Sequence, residues 1–370
     1  MSQQKHRRII ISGGGTGGHI FPAISIANAL RRMDPGTEIL FVGAEGKMEM
    51  EKVPAAGYKI KGLPVAGFYR SLTPKNIIVL YKLVKSLFMA RGIIREFKPD
   101  AVVGVGGYAS GPVLKQAGKM GIPTLIQEQN SYAGVTNKLL AKKASVICVA
   151  YDGMENYFPA EKIIKTGNPV RRTFDNLDTL RNEALSFFNL EKDLPVVLVL
   201  GGSLGAGTIN KSLSGNIHKL TDSGYQWLWQ TGKLYYENVN ALVNLSSCRE
   251  ISVRDFINRM DYAFAAADVI VSRAGAGTIS ELCLVGKPVI LVPSPNVAED
   301  HQSKNAEAIQ SRNAAVMVRD SEALDNLVDE AIKLVADSKR RAILSENIKG
   351  MADRDADVRI AKEILKLADK

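Results

Sequence analysis

The sequence predicts two α/β domains in tandem, each a doubly wound parallel sheet covered by helices on both faces. Short β-branched runs that end in glycine alternate with longer amphipathic stretches, the βαβ rhythm of such a sheet. The opening run Ile9-Ile10-Ile11-Ser12-Gly13-Gly14-Gly15 is echoed 188 positions later by Val197-Leu198-Val199-Leu200-Gly201-Gly202-Ser203. A length of 370 residues, 46% of them hydrophobic, suits about two domains, each large enough to bury its own core.

In chain order, the strand at 9–11 feeds Gly13-Gly14-Gly15-Thr16-Gly17-Gly18-His19 and then a helical stretch from Ala23 to Leu30. Glycines at such a junction let backbone N–H groups approach a phosphate or sugar at the positive end of a helix, although a purely structural turn would use the same residues. The loop also satisfies G-x-G-x-x-G. A dinucleotide site would need an acid closing the next strand, whereas Ile39-Leu40-Phe41-Val42 ends in Gly43-Ala44 with Glu45 only beyond. His19, lying between the glycines and Pro22, projects where open α/β sheets place ligands, and an imidazole there can take a proton near neutral pH. A histidine merely satisfied at a helix start has the same signature.

The second echo is closer. Asp100-Ala101-Val102-Val103 leads to Gly106-Gly107-Tyr108-Ala109-Ser110-Gly111, and Asp268-Val269-Ile270-Val271 leads to Ala274-Gly275-Ala276-Gly277-Thr278-Ile279. Each is followed by Gly-x-Pro and another apolar strand, at 121–126 and 286–291. Gln127-Glu128-Gln129-Asn130 then stands at a strand's carboxyl end, with more polar groups than a solvated loop needs. Proline in Gly167-Asn168-Pro169 stops regular structure after Ile163-Ile164-Lys165-Thr166, and sets domains of 1–168 and 169–354. In the second, Arg273 through Glu281 gives a small-residue loop opening a helix whose N–H groups and dipole suit a diphosphate. Glu281 can accept from a ribose diol, or else Thr278 and Glu281 form a capping box. Asp353, Asp355 and Asp357 precede a final helix and read as its capping region rather than a metal site. The stripe Val358, Ala361, Ile364, Leu365 and Ala368 in that helix, 355–370, must pack on something.

The net charge of +10 implies an acidic partner, namely nucleic acid, anionic lipid or a phosphorylated substrate. Residues 1–170 carry +12 and the remainder −2, so the excess belongs to the first half. Residues 75–98 hold Lys75, Lys82, Lys85, Arg91, Arg95 and Lys98 with Glu96 the only acid, interleaved with an apolar arc wider than one domain face needs. That suggests an interfacial helix on an anionic membrane, against the plainer reading of a helix packed on the sheet with a solvated basic edge. Three scattered cysteines exclude a disulfide framework and zinc-ligand spacing. The apolar run after the basic N-terminus is too short for a signal peptide, and no run approaches a membrane span. No Asp-x-Asp ends a strand, so no metal and no required cofactor is expected, a divalent cation at most stimulating activity.

Taken in order, Gly14 through His19 with Pro22-Ala23, Gly106-Gly107-Tyr108, Glu128-Gln129-Asn130, Gly167 through Arg171, Gly201-Gly202-Ser203, Arg273 through Glu281, and Asp300-His301-Gln302 with Asn305 resemble the MurG family. Its members are bacterial N-acetylglucosaminyltransferases that convert lipid I to lipid II in peptidoglycan synthesis. The resemblance spans nearly the whole chain. It implies a GT-B fold, two Rossmann-like domains facing across a cleft, with the last helix returning to a first domain that meets acceptor and membrane. It implies peripheral attachment at the cytoplasmic face of the plasma membrane. It also implies that UDP-N-acetylglucosamine binds mainly to the second domain: Ile257 at uracil through its backbone, Glu281 at ribose, and Ser203, Ala276, Gly277 and Thr278, with Ile279 and Ser280, at the diphosphate. Gln302 and Asn130 would meet the sugar, Arg171 would line the nucleotide site, Thr16, Gly17 and Gly18 would close on the donor, and Tyr108 would touch the acceptor. Leu204, where the family often has Gln, bears on a polar donor contact; Gly277, where it has Leu or Met, bears on the helix start.

Such a transferase inverts an α-linked donor to a β-1,4 product and needs a general base within about 3 Å of the acceptor hydroxyl. His19 and Glu128 are the candidates. His19 is favoured because neutral imidazole is abundant at pH 7, whereas a carboxylate with an ordinary pKa is a weak base. A GT-B transferase using another lipid, such as diacylglycerol, is the rival enzyme. Low aromatic content, 6%, and the lack of a recognition motif argue against a nucleic-acid partner.

Overall fold

The protein is described by a computed structural model covering residues 6–67, 75–170, 177–202, 205–246, 248–297 and 300–370. Arg171, Ser203 and Leu204 lie outside the described residues. The chain divides into two compact units, Met1–Arg171 with Arg354–Lys370, and Arg172–Asp353.

The first unit runs β1 (Arg8–Ser12), α1 (Gly17–Met33), β2 (Glu38–Ala44), α2 (Glu49–Ala55), β3 (Lys59–Leu63), α3 (Lys75–Phe97), β4 (Ala101–Gly104), α4 (Ser110–Lys119), β5 (Thr124–Glu128), α5 (Val135–Ala141), β6 (Val146–Val149) and β7 (Ile163–Lys165). The second runs α6 (Arg181–Phe188), β8 (Val196–Leu200), α7 (Gly207–Gly215), α8 (Ile217–Asp222), β9 (Gln226–Gln230), α9 (Lys233–Leu245), β10 (Ile251–Arg254), α10 (Met260–Ala266), β11 (Val269–Ser272), α11 (Ala276–Val285), β12 (Val289–Leu291), α12 (His301–Gln310), β13 (Val316–Met317), α13 (Ala323–Ala336) and α14 (Ser338–Gly350). The final helix, α15 (Ala356–Ala368), belongs to the first unit.

Among the described residues the sheets are ordered β3-β2-β1-β4-β5-β6-β7 and β10-β9-β8-β11-β12-β13. Every pairing is parallel. Both orders reverse direction beside their first strand, between β1 and β4 and between β8 and β11. Ligands of open α/β sheets gather outside the strand carboxyl ends at such a switch point.

Successive strand residues face opposite sides of a sheet, and both sides of the central strands are covered, so those strands read as unbroken apolar runs. Ile9 and Ile11 join Phe41, Val103 and Leu125 beneath α1, while Ile10 joins Leu40, Val102 and Ile126 beneath α3 and α4. In the second unit Val197, Val199, Trp227 and Trp229 share one face, and Val196, Leu198 and Leu228 the other. The stripe of α15 finds its partner in α1: Ile360, Ala361, Ile364 and Leu367 are buried with Ile26 and Leu30. Arg32 donates to the buried Asp357 at 2.6 Å, and Arg359 to the Thr166 carbonyl at 2.7 Å. Asp355 holds the N-cap position of α15 without a side-chain cap bond, while Asp357 in the first turn takes the Arg32 contact. Cys148 and Cys283 are buried, and burial pushes both thiols up to about 12, which removes them as nucleophiles at neutral pH.

Candidate active site

In the first unit the loops after β1 and β4 meet at the switch point, where Ser12 pairs with Gly104. Thr16 is the N-cap of α1 and makes no side-chain cap bond; its Oγ1 lies 3.2 Å from His19 Nδ1 instead. The same nitrogen lies 3.2 Å from the Gly14 carbonyl. Close approach explains the neighbouring glycine pair. A Cβ on Gly107 would stand 2.3 Å from the Gly14 oxygen, and one on Gly106 would stand 2.9 Å from His19 Nε2. Thr16 and Gly18 are exposed, Gly17 and His19 half-buried, and Tyr108 is exposed on the following loop.

Glu49, in the first turn of α2, is a site residue that sequence reasoning missed. It is 1% exposed, and its carboxylate accepts the Gly15 N–H through both oxygens at 3.1 Å and the Ala44 N–H at 2.9 Å. The glycine loop thus carries an internal anion where a dinucleotide fold would bind pyrophosphate, a second reason against that cofactor class. Nothing in the sequence marks Glu49 beyond an acid at a helix start, and Glu51 looks the same.

The polar run that closes β5 is knit into one hydrogen-bond network, with Gln127, Glu128 and Gln129 buried and Asn130 half-buried. Glu128, 1% exposed, accepts from Asn130 N and Nδ2 at 3.1 Å, Gly134 N at 3.0 Å and Asn137 Nδ2 at 2.8 Å. Gln129 donates to the Val105 carbonyl at 2.7 Å, and Asn168 to the Gln129 carbonyl at 2.9 Å. Gln127 donates to Asn168 Oδ1 at 3.1 Å. These bonds tie the loop after β5 to the one after β4 and to Asn168. They set Asn130 beside the Glu128 carboxylate.

In the second unit α11 starts at Ala276, with Gly275 as an extended N-cap that offers no side chain. Thr278 therefore sits inside the first turn and Glu281 beyond it, and the capping box does not form. The N–H groups of Ala276, Gly277 and Thr278 are the terminal donors that a helix cannot satisfy itself. Ile279 differs: its N–H closes on the Gly275 carbonyl at 2.9 Å and its side chain is core. Ser280 donates its hydroxyl to the Ala276 carbonyl at 2.9 Å. Glu281 is half-buried.

Around this terminus the loops are cross-tied. Gln302 Oε1 accepts from Ala274 N at 3.2 Å and Ser294 N at 2.9 Å, so any sugar contact falls to its amide nitrogen. Arg273 turns away from the helix start, donating to the carbonyls of Val292 at 3.0 Å and Pro293 at 3.2 Å and pairing with Asp320. Ile257 gives its N–H to Gln230 Oε1 at 2.9 Å, so any backbone contact it makes to a base falls to its carbonyl. A Cβ on Gly277 would meet nothing within 4 Å, so a methyl group has room here. Gly277→Ala is expected to raise stability by about 0.5–1 kcal/mol, since glycine in a helix costs that much against alanine. Thermal unfolding of the two proteins checks this.

Residues 9–149 match the glycosyltransferase family 28 N-terminal domain, and residues 196–360 its C-terminal domain. Two Rossmann-like units so matched define a glycosyltransferase of GT-B fold. A UDP-N-acetylglucosamine–N-acetylmuramyl-(pentapeptide) pyrophosphoryl-undecaprenol N-acetylglucosamine transferase of Parabacteroides distasonis is 59% identical over 98% of this chain and 99% of its own. The same-named enzyme of Phocaeicola vulgatus is 59% identical over 99% and 98%. The crystal structure of Acinetobacter baumannii MurG superposes with a TM-score of 0.76 at 26% identity, covering 97% of this chain and 99% of that one. The chain belongs to the MurG family within glycosyltransferase family 28.

Proposed function

We infer that the chain moves N-acetylglucosamine from UDP-N-acetylglucosamine to the 4-hydroxyl of the N-acetylmuramoyl-pentapeptide of lipid I, forming lipid II by one inverting displacement. Near full-length identity to enzymes of that name favours this acceptor over diacylglycerol. The geometry that carries the mechanism is the anchoring of His19 Nδ1 at the Gly14 carbonyl. We read this contact as a hydrogen bond to the carbonyl, which can only accept; Nδ1 then bears the hydrogen and Nε2 is the basic nitrogen. In this reading Nε2 takes the acceptor's proton as its oxygen attacks the anomeric carbon. Glu128, with four donors on its carboxylate, holds Asn130 in place for the sugar rather than acting as base. UDP leaves against the terminal N–H groups of α11, whose dipole stabilises the departing charge.

Glu281 would accept from the ribose hydroxyls. Its replacement by alanine is expected to raise KM for UDP-N-acetylglucosamine ten- to a hundredfold, since a hydrogen bond to a charged group contributes about 1.5–3 kcal/mol; steady-state kinetics at saturating acceptor would show it. We further propose that the reaction needs no metal and that the enzyme sits peripherally on the cytoplasmic face of the plasma membrane. Supporting the membrane contact, Ile77, Tyr81, Val84 and Phe88 recur at helical spacing along α3 and are all exposed, with Phe88 at 73%. Val79, Ala90, Ile94 and Phe97 supply its buried side. Among the described residues no helix is long and apolar enough to cross a membrane. The decisive assay supplies radiolabelled UDP-N-acetylglucosamine with a lipid I analogue or diacylglycerol, with and without excess chelator. Label in the lipid I product alone, with chelator present, is expected; transfer to diacylglycerol or abolition by chelator would overturn the corresponding part.

A further inference from the structure

We propose that Glu49 is a positioning residue that acts on His19 through the Gly14–Gly15 peptide unit, fixing the tautomer of the base and stabilising the charge it acquires. This rests on His19 being the base. The Gly15 N–H and the Gly14 carbonyl are opposite ends of one peptide group. Glu49 grips the N–H with both carboxylate oxygens at 3.1 Å, and His19 Nδ1 meets the carbonyl at 3.2 Å. The sequence of contacts is carboxylate, peptide, imidazole: an acid–histidine pair with an amide inserted between its members.

Its partners make Glu49 suited to this. The side chain is buried, and the hydrogen bonds on its carboxylate come from main-chain amides rather than from a cation. Its charge is therefore held by fixed dipoles, and hydrogen bonds to an ionised group in a low-dielectric site are short-range and strong. A negative charge on the N–H side of a peptide polarises it and makes its carbonyl a better acceptor, so the Nδ1–H form of His19 is favoured. In that form Thr16 Oγ1, at 3.2 Å from the same nitrogen, can share the hydrogen as a second acceptor.

During transfer the acceptor oxygen forms its bond to the anomeric carbon, and the bond from that carbon to the diphosphate oxygen breaks, UDP keeping the electron pair. The acceptor's proton goes to Nε2. No proton reaches Glu49, which stays ionised while the imidazole becomes imidazolium, and the polarised peptide lies against the new positive charge. Glu49 acts on the barrier more than on donor affinity, because Ile257, Glu281 and the start of α11, assigned to uracil, ribose and diphosphate, belong to the second unit.

Nitrogen-15 NMR of histidine-labelled protein tests this directly. The sequence has four histidines, and His19→Ala identifies the His19 signals. Wild type is expected to show the Nδ1–H tautomer. Glu49→Gln, which keeps the shape and loses the charge, is expected to populate the Nε2–H form and to lower kcat about thirtyfold with KM for UDP-N-acetylglucosamine within twofold. Wild-type tautomer and turnover in Glu49→Gln would refute the relay, whereas wild-type turnover in His19→Ala would refute the base assignment instead. If Glu49→Gln does not fold, Thr16→Val decides. Persistence of the Nδ1–H form supports the Gly14 peptide as the determinant, and its loss assigns the tautomer to Thr16 and overturns the proposal.

Discussion

Replacing His19 with alanine is expected to lower kcat about a thousandfold, which corresponds to ~4 kcal/mol of barrier, while KM for UDP-N-acetylglucosamine changes by less than twofold. The separation follows from position: His19 lies at the switch point of the first unit, and Ile257, Glu281 and the start of α11, assigned to uracil, ribose and diphosphate, lie in the second. The fold should be indifferent, because the ring is half-buried and its Nδ1 contacts are with Gly14 and Thr16 of its own loop. Glu128 is expected to behave in the opposite way. Removing a buried carboxylate that accepts four hydrogen bonds leaves donors without partners, each costing about 1–3 kcal/mol, so Glu128→Ala should lose thermal stability as well as turnover. A folded Glu128→Ala protein with a thousandfold loss, beside a His19→Ala protein of ordinary activity, would exchange the two roles.

The second large effect concerns α3. Serine at Ile77, Tyr81 and Phe88 together should weaken binding to anionic vesicles more than a hundredfold, measured by co-sedimentation. Full burial of a large apolar side chain contributes about 1.5–3 kcal/mol; partial insertion of three gives ~3 kcal/mol in all. Thermal stability should hold, since exposed positions away from special features shift it by about 0.5 kcal/mol at most. Activity on a soluble acceptor analogue should survive, and activity on acceptor in vesicles should fall with binding. Lys82, Lys85 and Arg91 line the same helix, so added salt and neutral lipid should each reduce binding. Vesicle binding that ignores the substitutions, the salt and the lipid charge would remove α3 as the contact.

The central strands of both sheets were legible because they are buried on both faces and so appear as apolar runs, and the glycine loops after β1, β4, β8 and β11 announced where the chain turns into helices. β9 was harder to see. Gln226-Trp227-Leu228-Trp229-Gln230 lacks β-branched residues and is bounded by amides, and only the fold shows those amides satisfied, Gln226 by the Glu191 and Leu194 carbonyls and Gln230 by the Ile257 N–H. Sequence spacing put Thr278 and Glu281 in a capping pattern that disappears once α11 is seen to begin at Ala276, since a pattern of residue types does not say where the first helical turn closes. Gln127, Glu128 and Gln129 stood out as polar, but whether polar groups face solvent, a ligand or one another depends on contacts distant in sequence, here with Val105, Asn137 and Asn168. Glu49 was invisible for the same reason. Its partner loop lies thirty-four positions earlier, and an acid at a helix start is ordinary until its burial is known.

The seating of α15 against α1 also orders events during synthesis. Residues 354–370 leave the ribosome after all of the second unit, yet Ile360, Ile364 and Leu367 complete the core that Ile9, Ile26 and Leu30 begin. The nascent chain therefore reaches the middle of translation with an unfinished first unit and an apolar face on α1 awaiting its cover. The second unit, continuous in sequence, has everything it needs to close first. Vectorial synthesis thus inverts the order of the gene: the half of the enzyme made first is the half finished last.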